Sequence, residues 1–171
     1  PPSAHSAVAS RLTTLPKAEV HVHLEGAFEA ATLEQWALEA GVAMPRPRER
    51  LFEFQGLADF LEFLDWACSL AGSGQRLAEM AYAFCRRLAA DGTGYADLIV
   101  NPSHWHPWQG RLRAMLDALD AGFRAAEQDG LRAVGLCVSR VRAQTAGESV
   151  PLVEDLTAWR HPRVVALSVD G

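Results

Sequence analysis

The stretch "AEVHVHLEGAF", residues 18–28, decides how the chain is read. Residues 19–24 alternate Glu-Val-His-Val-His-Leu, and a period of two is the pattern of a strand. Positions i and i+2 of a strand share a face. His21 and His23 are therefore expected to project together, about 6–7 Å apart along the strand, with Val20, Val22 and Leu24 on the opposite face. The pair comes late in the strand, just ahead of a turn at Glu25-Gly26. Burying two imidazoles without partners is costly. A zinc ion, which takes histidine nitrogen at about 2.0–2.1 Å, would give them a common partner. Polar residues on an edge strand are the plain alternative.

The valines on the opposite face favour a buried strand. The chain's 171 residues are 49% hydrophobic and 22% charged, with a net charge of −5. That composition is globular and the length suffices for one sizeable core. No basic block argues for nucleic acid or an anionic membrane surface, and no apolar run reaches the roughly 18 residues of a membrane span. The first residues, "PPSAHSAVASRLTTLPK", lack the charged start and apolar core of a signal peptide. Residues 1–14 read as a disordered or expression-derived tail, and 15–171 as the folded unit. Cys68, Cys85 and Cys137 are odd in number and show no CxxC spacing, as expected of reduced thiols in the cytoplasm.

Helical signals follow the opening strand. Thr32 and Gln35 have capping-box spacing and Gly41 is a closing glycine. "MPRPRER" reads as a loop. Residues 57–71 and 76–90 carry apolar side chains at helical spacing. "YADLIVNP" is a second strand, 111–128 a helix, "LRAVGLCVS" a third strand, 150–160 a helix and "RVVALSVDG" a fourth strand. Strands alternating with helices favour a parallel sheet covered by helices. An open doubly wound sheet and a (β/α)8 barrel both fit. The open sheet would want GxGxxG after its first strand, where this chain has HVHLEGA. A whole barrel typically takes about 250 residues, so four strands are expected to be its front half. In that barrel the histidine face is the interior and its late position is the C-terminal mouth, where barrel enzymes keep their chemistry.

"LPKAEVHVHLEGA" resembles the N-terminal signature of the adenosine deaminase family, LPK-x-E-L-H-x-H-L-[DE]-G, at Leu15, Pro16, Lys17, Glu19, His21, His23, Leu24, Glu25 and Gly26. The resemblance implies a zinc-dependent (β/α)8 aminohydrolase acting on an adenosine- or adenine-type purine. It implies one Zn2+ per chain, with His21 and His23 as two of its ligands. "GLADFLEFLDW" is similar to the family segment over the substrate mouth, which makes Phe60, Leu61 and Leu64 gate residues; packing of that helix on the barrel is the alternative. "VVALSVDG" is similar to the family's fourth strand, so Gly171 matches the glycine whose backbone meets the purine. Ser168, Val169 and Asp170 depart from the commoner residues there. Glu25 stands where the family's acidic residue contacts the sugar end of a nucleoside.

Hydrolytic deamination also needs a proton donor. The family's glutamate acid, third histidine ligand, further histidine and aspartate have no counterpart in this chain, so the catalytic residues are expected beyond Gly171. The expected partner is a purine nucleoside or base, with neither nucleic acid nor membrane; the oligomeric state stays open. Two other readings remain, another metal-dependent barrel hydrolase and a non-catalytic half-barrel that binds a purine or a partner chain. A second HxH, His104 and His106 in "NPSHWHPW", reads as a loop of packed aromatics, with lining of the mouth or weak metal binding as the alternative. His161 before Pro162 is expected at the surface, and Arg140 with Arg142 as a surface pair near the mouth, with binding of a phosphate or carboxylate as the alternative. The zinc deaminases marked by HxE and PCxxC are excluded, since neither element is present.

Overall fold

A computed structural model describes residues 12, 14–131 and 133–170. Gly171 and nearly all of the expected tail lie outside the described residues. Four strands, β1 (Lys17–His23), β2 (Thr93–Val100), β3 (Ala133–Val141) and β4 (Val164–Asp170), form one parallel sheet in the order β1-β2-β3-β4. Five α-helices fill the connections: α1 (Ala30–Ala40), α2 (Leu57–Leu70), α3 (Gly74–Ala90), α4 (Leu112–Gln128) and α5 (Ala146–Trp159). The strand order separates the two closures. A doubly wound sheet reverses direction at a switch point, whereas strands laid down strictly in sequence are the order of a barrel wall. No described helix is long and apolar enough to cross a membrane.

The core lies between the sheet and its helices. Ala96, Leu98 and Val100 of β2 and Val134, Leu136 and Val138 of β3 join Leu77, Met80 and Ala81 of α3 and Leu116, Leu119 and Phe123 of α4 in one buried cluster. The α3–α4 crossing is close because Gly122 faces Ala78 and Ala81 without a side chain. On the other face of the sheet, Tyr95, Asp97 and Val165 converge over Gly135, and a Cβ there would come within 2.8 Å of all three. At the strand-entry end, the Arg163 guanidinium binds Asp120 and Glu127 of α4 and the Val134 carbonyl, tying β4 to its neighbours.

Several local expectations needed correction. Thr32-x-x-Gln35 is not a cap: α1 starts at Ala30 with Glu29 at its N-cap, so both residues lie inside the helix. The working capping box is Thr145 with Glu148, which starts the last helix at Ala146 rather than 150 and carries it through Pro151. Gly41 closes α1 in the left-handed conformation, as expected.

Candidate functional site

The histidine pair sits at the C-terminal end of β1, but the strand is not regular there. Glu19 pairs with Ala96 and Val22 with Leu98, so β1 holds one residue more than β2 across that interval, which is a bulge. His21 carries the distortion, with φ at +62°. A side chain larger than glycine in that region costs about 1–2 kcal/mol, and such strain gathers at functional sites. Strict alternation of faces is therefore broken, yet the two rings still meet, edge to face, with centroids 5.4 Å apart. Val20 is exposed, Val22 half-buried and Leu24 buried in a short 3-10 turn.

That turn delivers Glu25 into the interior, where it is 0% exposed. Its Oε1 accepts the Asn101 backbone N–H and the Trp105 indole N–H, each at 2.7 Å. Its Oε2 is buried without a hydrogen bond and lies 3.6 Å from His23 Nδ1. The nearby Glu25 carboxylate holds the His23 ring above its ordinary pKa; partial burial opposes this, and the charge of Asp170 adds to it.

A belt of polar groups continues across the same ends of the other strands. Asn101, just after β2, donates its side-chain amide to Asp170 Oδ2 at 2.9 Å. Ser139 of β3 donates to the same oxygen. Asp170 ends β4. All four strand ends therefore contribute to one acidic, hydrogen-bonded rim containing two imidazoles.

A model of the family described as adenosine deaminase matches residues 16–171. The chain belongs to the adenosine deaminase family. It is 30% identical over 173 residues to an adenosine deaminase of Enterococcus faecalis, covering 95% of this chain and 50% of that protein. It is 30% identical over 129 residues to an adenine deaminase of Bordetella avium, covering 73% of this chain and 40% of that protein. An amidohydrolase of Burkholderia ambifaria, solved with bound Zn, superposes with a TM-score of 0.84 at 25% identity, covering 97% of this chain and 47% of that one. The chain thus spans half the length or less of these relatives, and the fold they share is the TIM barrel.

Other residues singled out from the sequence are placed as follows. Leu64 is 5% exposed and belongs to the core, Phe60 is half-buried with its ring 5.0 Å from that of Phe54, and Leu61 is 39% exposed. The second HxH is a loop of packed aromatics: Trp105 and Trp108 are buried, Trp108 donates to the Ala71 carbonyl at 2.8 Å, and His104 Nδ1 meets Asp65 of α2 at 2.6 Å. His161 corrects an expectation. It is 8% exposed rather than at the surface, because its ring packs on Trp159 with centroids 4.6 Å apart and its Nδ1 accepts the Arg163 N–H.

Arg140 turns to the helix side of the sheet, opposite to Ser139, and reaches Ser149 of α5 at 3.5 Å. There it lines a cleft of about 760 Å³ with Trp108, Arg111, Arg113 and Asp155. That cleft does not include the histidine pair. Asn101, Trp105, Ser139 and Asp170 were not singled out as site residues. Two of them carried a signal: Asn101 precedes Pro102 where the similar family strand commonly has serine, and Asp170 departs from the commoner residues of the fourth strand.

Among the described residues, no group of three or more His, Cys, Asp or Glu is placed to hold a metal ion. A tetrahedral zinc site takes four ligands. Two converging imidazoles, one of them exposed on a strained backbone, fit as two of that set.

Proposed function

We propose that the whole protein replaces the amino group of an adenine-type purine with oxygen, releasing ammonia, and that His21 and His23 supply two ligands to the zinc ion this chemistry uses. The observation that carries the reading is the convergence of the two rings at the C-terminal end of β1, in a chain whose family match starts at residue 16. When bound, zinc lowers the pKa of a coordinated water to about 7 and so provides hydroxide at neutral pH. His21 and His23 hold the ion, and the acidic rim of Glu25 and Asp170 favours a cation between them. Leu61 and Phe60 shield the mouth from water, and Leu64 supports them from the core. No residue of this chain is assigned to deliver the proton that the departing amine needs.

Relatives named for adenosine and for adenine both match, so the substrate class is a purine with an exocyclic amine, with or without its sugar. The test is metal analysis of the purified whole protein together with ultraviolet assays on adenosine, adenine and N6-substituted adenines. About one zinc per chain and ammonia release from one of these purines is the expected result. Zinc with every purine untouched would point to another metal-dependent barrel hydrolase, and absence of zinc to a non-catalytic binding role.

A further inference from the structure

We propose that Glu25 is a positioning residue for His23: Trp105 and the Asn101 N–H hold its buried carboxylate as the acceptor for His23 Nδ1–H, which leaves Nε2 bare for a metal. This rests on the zinc reading above. The resemblance gives Glu25 a contact with substrate, and the geometry points elsewhere. A carboxylate that meets a diffusing ligand needs an open oxygen. Here the residue is 0% exposed, and Oε1 already accepts two N–H groups at 2.7 Å. Oε2 is sealed from water, makes no hydrogen bond, and faces His23 Nδ1 at 3.6 Å.

An unpaired buried carboxylate oxygen is expensive, and the ring nitrogen is the group placed to relieve it by a small rotation. Neutral imidazole carries one proton on one of its two nitrogens. A carboxylate that claims Nδ1–H therefore selects the tautomer whose Nε2 lone pair is free, the arrangement found behind many zinc-bound histidines.

The same contacts give a role to His104 and Trp105 of the second HxH. Its two histidines flank Trp105, whose indole is a donor and never an acceptor. His104 is tied to Asp65 at 2.6 Å and Trp108 to the Ala71 carbonyl at 2.8 Å. The loop is thus anchored on both sides of the indole that grips Glu25. The "SHWHPW" stretch serves the first histidine motif by holding its strut.

The test uses the whole protein. In Glu25→Gln the amide oxygen can still accept from Trp105 and Asn101, while the amide NH2 faces Nδ1 and donates, forcing the ring proton onto Nε2. Zinc affinity, measured by competition with a chromophoric chelator, is expected to fall about 10–100-fold, with the thermal midpoint of the chelator-treated protein nearly unchanged. Glu25→Asp changes the shape more but keeps the acceptor, so it should bind zinc more tightly than Glu25→Gln. Nitrogen-15 spectra of the metal-free protein should show the His23 proton on Nδ1 in the parent and on Nε2 in Glu25→Gln.

Unchanged zinc affinity in Glu25→Gln, or a raised KM for a nucleoside with affinity intact, would overturn the inference. If Glu25→Gln does not fold, Trp105→Phe serves instead, and it should lower zinc affinity by removing one of the two grips on Oε1. A parent protein that binds no zinc would refute the functional reading alone, because the tautomer measurement still decides the role of Glu25.

Discussion

Gly122 is the position where adding one carbon should do most harm. It lies in the middle of α4, buried, where that helix crosses α3. In a free helix, alanine for glycine gains about 1 kcal/mol. Here an added Cβ would sit 2.9 Å from the Ala81 Cβ and 3.0 Å from the Ala78 carbonyl carbon, with the Ala78 carbonyl oxygen closer still. Carbon pairs rest at about 3.5–4.0 Å. The obstacle is backbone, so no side-chain rotation relieves it, and the helices must part by roughly 1 Å. That loosens Leu119 and Phe123 from Leu77 and Met80 in the core. Overpacking of this kind costs about 1–3 kcal/mol, occasionally more, which exceeds the propensity gain. For a chain of this size each kcal/mol moves the midpoint by about 2–4 °C. The assay is thermal unfolding followed by circular dichroism at fixed scan rate and metal concentration. Gly74→Ala is the control: its Cβ would meet only the Ala118 Cβ at 3.6 Å, an ordinary contact, so it should be neutral or slightly stabilising. A Gly122→Ala protein as stable as the parent would refute the close crossing of α3 and α4.

Three further outcomes follow from other parts of the structure. His21→Gly removes the strain at φ +62°; in chelator its midpoint should rise, by about 1 kcal/mol in stability, while bound zinc is lost. Arg163→Met leaves Asp120, 5% exposed at its side chain, without its main buried partner, and should cost about 3–5 kcal/mol by urea unfolding. Burial pushes the Cys85 thiol up to about 12 and the Cys68 thiol well above its usual value, with a smaller rise at half-buried Cys137. A raised pKa keeps a thiol protonated until pH climbs through it, and the thiolate is the reactive form. A thiol reagent at pH 8 should therefore modify Cys137 first in the folded protein, and Cys68 and Cys85 only after denaturant is added.

Periodicity carried most of the architecture. The apolar runs of β2 and β3 marked those strands because hydrophobic spacing follows directly from which face is buried, whereas the two-residue pattern at 19–24 marked β1 although Val20 is exposed and Leu24 lies in the turn. Local hydrogen-bond chemistry was harder to read. The same four-residue spacing is a cap at Thr145-Glu148 and helix interior at Thr32-Gln35, and only the backbone ahead of each decides. The bulge at His21 leaves no mark in composition, since its left-handed backbone is imposed by pairing with β2. The pairing of the two histidine rings at one strand end was legible, but the contacts behind them were not. Trp105 meets Glu25 across 80 residues of sequence, and Ser139 and Asn101 join Asp170 only when three strand ends lie side by side. His161 looked exposed because proline follows it, and is buried because Trp159 and β4 fold over it.

The central claim is that His21 and His23 hold a metal for purine deamination. Zinc content of the purified whole protein, compared with that of His21→Ala and His23→Ala, tests it most directly. About one zinc per chain in the parent and none in either variant is the predicted result. Full zinc occupancy in His21→Ala, or a metal-free parent that still deaminates adenosine or adenine, would contradict it.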